Sequence, residues 1–377
     1  MAAWSDLTND LLLHIITFLP LSDHYRFGAV CKNWRSVSKL RQHLPTPELP
    51  WLVLEEESET RRRKFYSLSE AKHHSIDIPK LHGCCICGSS HGWLFAVDIK
   101  ITGILVNPFT QECYELPPFP AFSKDVDVTT LIEKEKVPSG STGLRDYTLE
   151  EMQTIMVSKA ILSHDPKERS DFMVMILFGD RNAPAIWRPG DALWTVIEGP
   201  KYVIMDDIIY FKENFYVLSA LNVLYVVDFN PKPKLIEVGP QIKIEGCFWQ
   251  PWQRYLVDFN GNLLLIERFC QRLDKELFMT SAINVAELNL EENCLCERFD
   301  ISDFALFLGR NSSIFVNSSH FPMCKKNSIY FTESYFPFKF GCRDVGVFDM
   351  TDRTINTFYP VVFPPCVGSP IWLVPNP

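Results

Sequence analysis

The chain has 377 residues, 46% hydrophobic and 22% charged, an ordinary globular composition with length for two or three domains, or for a small domain beside a large all-β one. Its 37 Lys and Arg against 46 Asp and Glu give a formal charge of −9. That balance argues against a general nucleic-acid binder, because affinity for a phosphate backbone comes mainly from Lys and Arg.

The longest apolar stretch near the start, Leu11 to Leu19, contains His14 and falls well short of the about 20 residues a spanning helix needs. Met1 to Asp10 lacks the basic segment of a signal peptide. The expectation is a protein of the cytosol, the nucleus or both, without a membrane partner, whose 12 cysteines are reduced thiols.

From Leu7 to Leu19 the apolar residues fall at Leu7, Leu11, Leu12, Ile15, Ile16 and Leu19, the spacing of one helical face. Thr8 or Asn9 can cap this helix, Asp10 suits its first turn and Pro20 stops it. Ser22 and Asp23 open a second short helix through Tyr25, Phe27 and Val30, and a third runs around Trp34, Val37 and Leu40. Three helices in about 35 residues make too small a core for independent stability, so their apolar surface needs a partner.

After Pro45, Pro47 and Pro50 the texture becomes all-β, with short runs rich in Val, Ile, Phe, Tyr and Trp between turn residues. Examples are Trp93–Asp98, Gly103–Asn107, Phe172–Phe178, Tyr202–Phe211, Phe215–Ala220, Val223–Phe229, Tyr255–Phe259 and Leu263–Arg268. Asn260-Gly261, between the last two, is a hairpin signal. Residues 121–153, with mixed charges and Pro138-Ser139-Gly140-Ser141, read as an irregular insertion, helical near Leu149–Met156 or disordered.

The β runs group into units. Their first strands begin near Cys84, Val157, Asp206, Gln253 and Asp303, at intervals of 73, 49, 47 and 50 residues, the longest containing the insertion. Periods of about 40–50 with about four strands each are the signature of a β-propeller. Trp51–Leu54, Phe65–Leu68 and Ser75–Ile78 precede these units and Ile371–Val374 follows them. If the C-terminal run joins the first three, the ring closes with six blades. A two-sheet sandwich is the competing architecture. The fold class is therefore mainly β with a small N-terminal α domain, residues 1–44 being helical and residues 45–377 the β domain.

Chemistry-bearing motifs are sparse. His82, Cys84, Cys85, Cys87 and His91 lie close together, and Cys294 and Cys296 form a second pair. Zinc favours paired C-x₂₋₄-C knuckles, whereas C-C-x-C and C-x-C sit in strands, which project neighbours to opposite faces; buried strand thiols are the better reading. Asp206-Asp207 splits likewise across two faces. Glu55-Glu56-Glu57-Ser58-Glu59 followed by Arg61-Arg62-Arg63-Lys64 reads as a solvated, self-compensating hairpin loop, and only weakly as a nuclear signal. Phosphate-binding, nucleophile-elbow and metalloprotease motifs are absent from the sequence. The sequence nominates no catalytic residue, no metal ligand and no cofactor.

The run Trp4-Ser5-Asp6-Leu7-Thr8-Asn9-Asp10-Leu11-Leu12, with Ile15, Ile16, Leu19, Asp23, Phe27, Val30-Cys31 and Trp34-Arg35, resembles an F-box, departing from it at Thr8, where that family usually has proline. Gly88-Ser89-Ser90-His91-Gly92-Trp93-Leu94, Asn107-Pro108-Phe109-Thr110, Arg188-Pro189-Gly190-Asp191 with Trp194-Thr195, and Phe307-Leu308-Gly309-Arg310-Asn311-Ser312-Ser313 resemble the plant KIB-type F-box proteins, as do Asn327-Ser328-Ile329-Tyr330-Phe331 and the ending Pro370-Ile371-Trp372. The resemblance implies a three-helix F-box followed by a kelch-like propeller. It also implies a non-enzymatic substrate-recognition subunit of a cullin ubiquitin ligase, without a cofactor. It assigns Leu7, Leu11, Leu12, Ile15, Ile16, Leu19, Val30, Cys31 and Trp34 to contact with a Skp-family adaptor, which links to a cullin, or to the small core behind that contact. The propeller would hold a target protein, with the insertion from Ser123 to Glu151 as one candidate surface. The alternative is a propeller enzyme or small-molecule binder with a helical cap. In either case Arg188–Asp191 and Gly88–Gly92 read first as turns, unless His91 and Arg188 line the ring's central surface.

Overall fold

The computed structural model describes residues 4–17, 19, 23, 27–28, 30–41, 48–119, 149–179, 181–242, 253–272, 278–332, 344–357 and 370–376. The chain divides into two compact units, residues 1–48 and 49–376, the last residue grouping with the first unit.

The N-terminal unit opens with a 3₁₀ turn, Trp4–Asp6, followed by helix α1, Asn9–Thr17, and helix α2, Lys32–Arg41. The Leu12 N–H donates to the Thr8 carbonyl at 3.0 Å, the first bond of α1, so Thr8 takes the capping position. The expected middle helix lies largely outside the described residues, although Asp23, Phe27, Gly28 and Val30 are helical. Leu12, Ile16, Phe27 and Val37 are buried together as a small core, with Leu7, Leu13, Ile15, Leu19 and Trp34 packed partly buried around it.

The second unit is a six-bladed β-propeller. Blade 1 combines Ile371–Leu373 from the C-terminus with Trp51–Glu56, Arg63–Ser67 and Lys72–Ile76. Blades 2 to 5 begin with Cys85–Ser90, Val157–Leu162, Met205–Phe211 and Gln253–Phe259, each followed by three antiparallel strands. The ring is closed where Trp51 pairs with Leu373, Leu52 with Trp372 and Val53 with Ile371, as expected from the two unpaired apolar runs. The hairpin at Asn260-Gly261 has φ of +52° and +80°, the left-handed pair that this turn requires.

Blade 6 departs from four strands. It has five, and its first strand in sequence, Phe304–Leu308, is not the innermost; Ile314–Asn317 doubles back to the inner edge. Phe304–Leu308 then runs parallel to Ser328–Phe331. Such a pair needs a crossover, here carried by Ile314–Asn317 and a 3₁₀ turn at Ser318–His320.

The core lies between blades. Trp93, Phe95, Phe172 and Trp187 fill the space between blades 2 and 3, and Leu52, Phe307, Tyr330 and Trp372 that between blades 6 and 1. Because inner strands are covered on both faces, Val174–Phe178 is buried at every position, whereas Arg63–Ser67, nearer the rim, alternates buried and half-buried. The irregular segment ends in helix α3, Leu149–Ile155, close to the expected place. Residues 120–148, including most of the candidate target surface from Ser123 to Glu151, lie outside the described residues.

Candidate functional site

In the helical unit the apolar stripe of α1 resolves into two adjacent faces. Leu12 and Ile16, four residues apart, are completely buried against Phe27 and Val37. Leu11, one residue earlier on the helix, is 52% exposed. Leu7, Ile15, Leu19 and Trp34 are intermediate, as is Cys31, and Val30 is 57% exposed. Trp34 is clamped: its ring lies 4.4 Å from that of Phe27, tilted by 35°, and its Nε1 donates to the Trp4 carbonyl at 3.1 Å. Asn33 Nδ2 likewise donates to the Leu7 carbonyl at 3.3 Å, tying α2 to the entrance of α1. The unit thus completes its own small core and leaves Trp4, Leu11 and Val30 presented to solvent.

At the propeller axis, three consecutive blades share one device. The inner strands carry a register shift between Ile86 and Gly88, between Val157 and Lys159, and between Met205 and Asp207. Each is a bulge that twists the strand and re-aims the side chains beside it. In blade 2 the position after the bulge is Gly88, where a Cβ would lie 2.6 Å from the Ala160 carbonyl oxygen, so only glycine permits that approach. In blades 3 and 4 the same position holds Lys159 and Asp207, which form a buried ion pair. Asp207 also accepts a hydrogen bond from the Leu256 N–H of blade 5 at 2.6 Å. The expected split of Asp206-Asp207 across two faces is observed, and each carboxylate reaches a buried cation: Asp207 meets Lys159 of blade 3, whereas Asp206 meets Arg254 of blade 5 at 2.7 Å, and Arg254 in turn meets Glu267 at 3.4 Å.

Arg310 closes the axis. It belongs to blade 6, yet its guanidinium donates to the carbonyls of Thr154, Val157 and Ser158, on the opposite side of the ring. The neighbouring Ser312 N–H donates to the Ser89 carbonyl of blade 2 at 2.8 Å, and Ser89 Oγ donates to the Trp372 carbonyl of blade 1. The Gly309-Arg310-Asn311-Ser312 signature therefore bolts blade 6 to blades 2 and 3. The role of this motif is not legible in the sequence, because an arginine spanning a ring leaves no local periodicity.

Other sequence candidates fall elsewhere. Arg188 is exposed at the outer hairpin of blade 3, 5.3 Å over the Phe229 ring, and Asp191 closes the turn as expected; it does not line the axis. His91 sits in the tight turn before Trp93 at φ +52° and gives its carbonyl to Asn376 Nδ2. Arg63 corrects the solvated-loop reading: it is buried, donating to the carbonyls of Leu54, Leu81 and Cys84. Cys84, Cys85 and Cys87 are buried as expected, and burial pushes the Cys84 thiol up to about 11. A hydrogen bond from Cys87 holds Cys85 down at about 7, with Arg310 and Arg63 adding to it. Cys294 and Cys296 are not buried, which corrects the expectation for that pair. Among the described residues no group of three or more His, Cys, Asp or Glu is arranged to hold a metal ion. No described helix is long and apolar enough to cross a membrane.

Comparison with known proteins matches residues 65–349 to the KIB1-4 beta-propeller family and residues 4–46 to the F-box domain. The F-box/kelch-repeat protein At1g57790 of Arabidopsis thaliana is 24% identical over 341 residues, covering 88% of this chain and 83% of the relative. The F-box protein At4g35733 of Arabidopsis thaliana is 22% identical over 384 residues, covering 97% and 98%. Among solved structures, the Cps50 (Swd1) β-propeller domain of Myceliophteria thermophila aligns with 85% of this chain and 89% of its own, at a TM-score of 0.40 and 9% identity. With a KIB1-4 propeller over most of its length and an F-box before it, the chain belongs to the plant F-box proteins of the KIB type.

Proposed function

We propose that the chain is a non-catalytic substrate-recognition subunit of an SCF-type cullin ubiquitin ligase. Residues 1–44 bind a Skp-family adaptor and through it a cullin, and the propeller of residues 45–377 holds a target protein in the cytosol or nucleus. The observation that carries this reading is the split of α1. Leu12 and Ile16 satisfy the unit's own core, so the exposed Leu11, with Val30 and Trp4, is left over for a partner. A helix offering apolar anchors to a partner's groove is an established recognition mode, and large desolvated side chains carry most of its energy. Leu7, Ile15, Leu19, Cys31 and Trp34, half-buried in the unit, form the rim or support of that contact.

The rival reading, a propeller enzyme or small-molecule binder, requires convergent uncommitted groups at the axis. Instead Asp206, Asp207 and Glu267 are each engaged by Arg254 or Lys159, and Arg310 occupies the space between opposite blades. Affinity purification of the intact chain and of one lacking residues 1–44 separates the two. Adaptor and cullin are expected with the first sample alone, while the target accompanies both. Adaptor retained by the truncated chain, or missing from the intact one, overturns the proposal.

A further inference from the structure

Among the described residues of the propeller Cys84, Cys85, Cys87 and Cys324 are buried, whereas Cys294 is half-buried and Cys296 exposed. They lie on Cys294–Glu297, the outermost strand of blade 5, paired along one edge only, with Asn289 opposite Cys294 and Glu287 opposite Cys296. Residues two apart in a strand share a face, so both thiols point one way while Leu295 packs on the apolar cluster of blades 4 and 5. The sulfurs are 3.7 Å apart, Cys294 half-buried and Cys296 exposed.

Two routes could join them, and distance discriminates. A disulfide needs an S–S length of about 2.05 Å and tolerates Cα separations up to about 6.8 Å. Alternate residues of a strand stand about 6.4–6.8 Å apart, at the limit of that range. A tetrahedral metal centre with metal–sulfur bonds of about 2.3 Å needs its two sulfurs about 3.8 Å apart, close to the separation already present, and a pyramidal trivalent arsenic draws them somewhat closer together. The hairpin before the strand is also fixed: Asn289 Oδ1 accepts from the Glu291 and Glu292 N–H groups at 3.0 and 2.9 Å, and the Glu292 carboxylate lies 3.9 Å from Cys294 Sγ.

We propose that Cys294 and Cys296 form a bidentate dithiol site for a thiophilic Lewis acid, a trivalent arsenical or a d¹⁰ metal ion, at the rim of blade 5. With an arylarsine oxide, two As–S bonds form, the As–O bond is lost, and the oxygen leaves as water with the two thiol protons. With zinc, two Zn–S bonds form and two protons are released. Neither step needs an oxidant or reductant.

The test uses the full reduced chain, its Cys294→Ser and Cys296→Ser variants and the double variant, with phenylarsine oxide in one arm and zinc in the other. The outward thiols leave the melting transition of the variants unchanged. In the first arm, intact-mass and peptide mapping are expected to place one aryl-arsenic adduct on the 294–296 peptide of the wild type and none on that peptide of any variant. In the second, dialysis against a zinc chelator is expected to show the wild type retaining more zinc than the double variant if a metal ion is the natural occupant. Equal zinc retention with the adduct present assigns the site to arsenicals. Absence of both the adduct and the zinc difference overturns the site.

Discussion

Lys159 and Asp207 show how a single buried pair ties three blades together. Each is 4% exposed or less, and their contact is completed by the Leu256 N–H, so the carboxylate has partners in both neighbouring blades. Removing one member of a buried pair leaves an uncompensated charge, at a cost of about 3–5 kcal/mol. Lys159→Met is therefore expected to lower propeller stability by about that amount in urea titration, and adding Asp207→Asn to restore part of it, since the amide oxygen still accepts from Leu256. A double variant less stable than the single one would contradict this account. The pair was invisible in the sequence because it depends on two bulges, which place residues 48 positions apart at equivalent points of the inner strands of neighbouring blades. Arg63 was misread for a related reason: it stands in a run of four basic residues, and charge composition alone does not show which member turns inward.

At the scale of elements, the alternating apolar runs were largely legible. Expected first strands at Cys84, Val157, Asp206, Gln253 and Asp303 meet observed ones at Cys85, Val157, Met205, Gln253 and Phe304. Period and turn chemistry suffice there because blades 2 to 5 are each a local antiparallel meander. The order within blade 6 was not legible, since a parallel pair with an inserted inner strand has the same composition as a meander. The pairing of the propeller's two terminal strands was legible because two apolar edges cannot both stay bare. Ile371, Trp372 and Leu373 are fully buried, and Asn376 beyond them donates to Asp165 Oδ2 at 2.6 Å and accepts from Asn107 Nδ2 at 2.9 Å. Deleting residues 370–377 is thus expected to lower the melting temperature of the propeller by about 10 °C or more, from several kcal/mol of lost burial. An unchanged transition would mean that the ring does not depend on this strand.

Taken whole, the molecule pairs a ring whose inner strands are cross-linked by their own polar side chains with a helical unit that keeps apolar side chains outside its completed core. The ring needs its axial polar groups for itself, and the helical unit does not need Leu11 or Val30 for itself. The sequence stripe on α1 identified the correct set of residues without dividing it, because residues one apart on a helix straddle the boundary between an inner and an outer face, and only the packing of α2 fixes where that boundary runs. The central claim, that this outer face binds a Skp-family adaptor, is tested most directly by calorimetric titration of the purified adaptor into the full chain, its Leu11→Ala/Val30→Ala variant and its Leu12→Ala variant. The account predicts saturable binding by the wild type and a loss of about 2 kcal/mol or more, roughly thirtyfold in affinity, in the Leu11/Val30 variant with the helical circular-dichroism signal intact. Leu12→Ala loses that signal as its small core opens. Equal affinity of the Leu11/Val30 variant and the wild type, or no binding by the wild type, would contradict it.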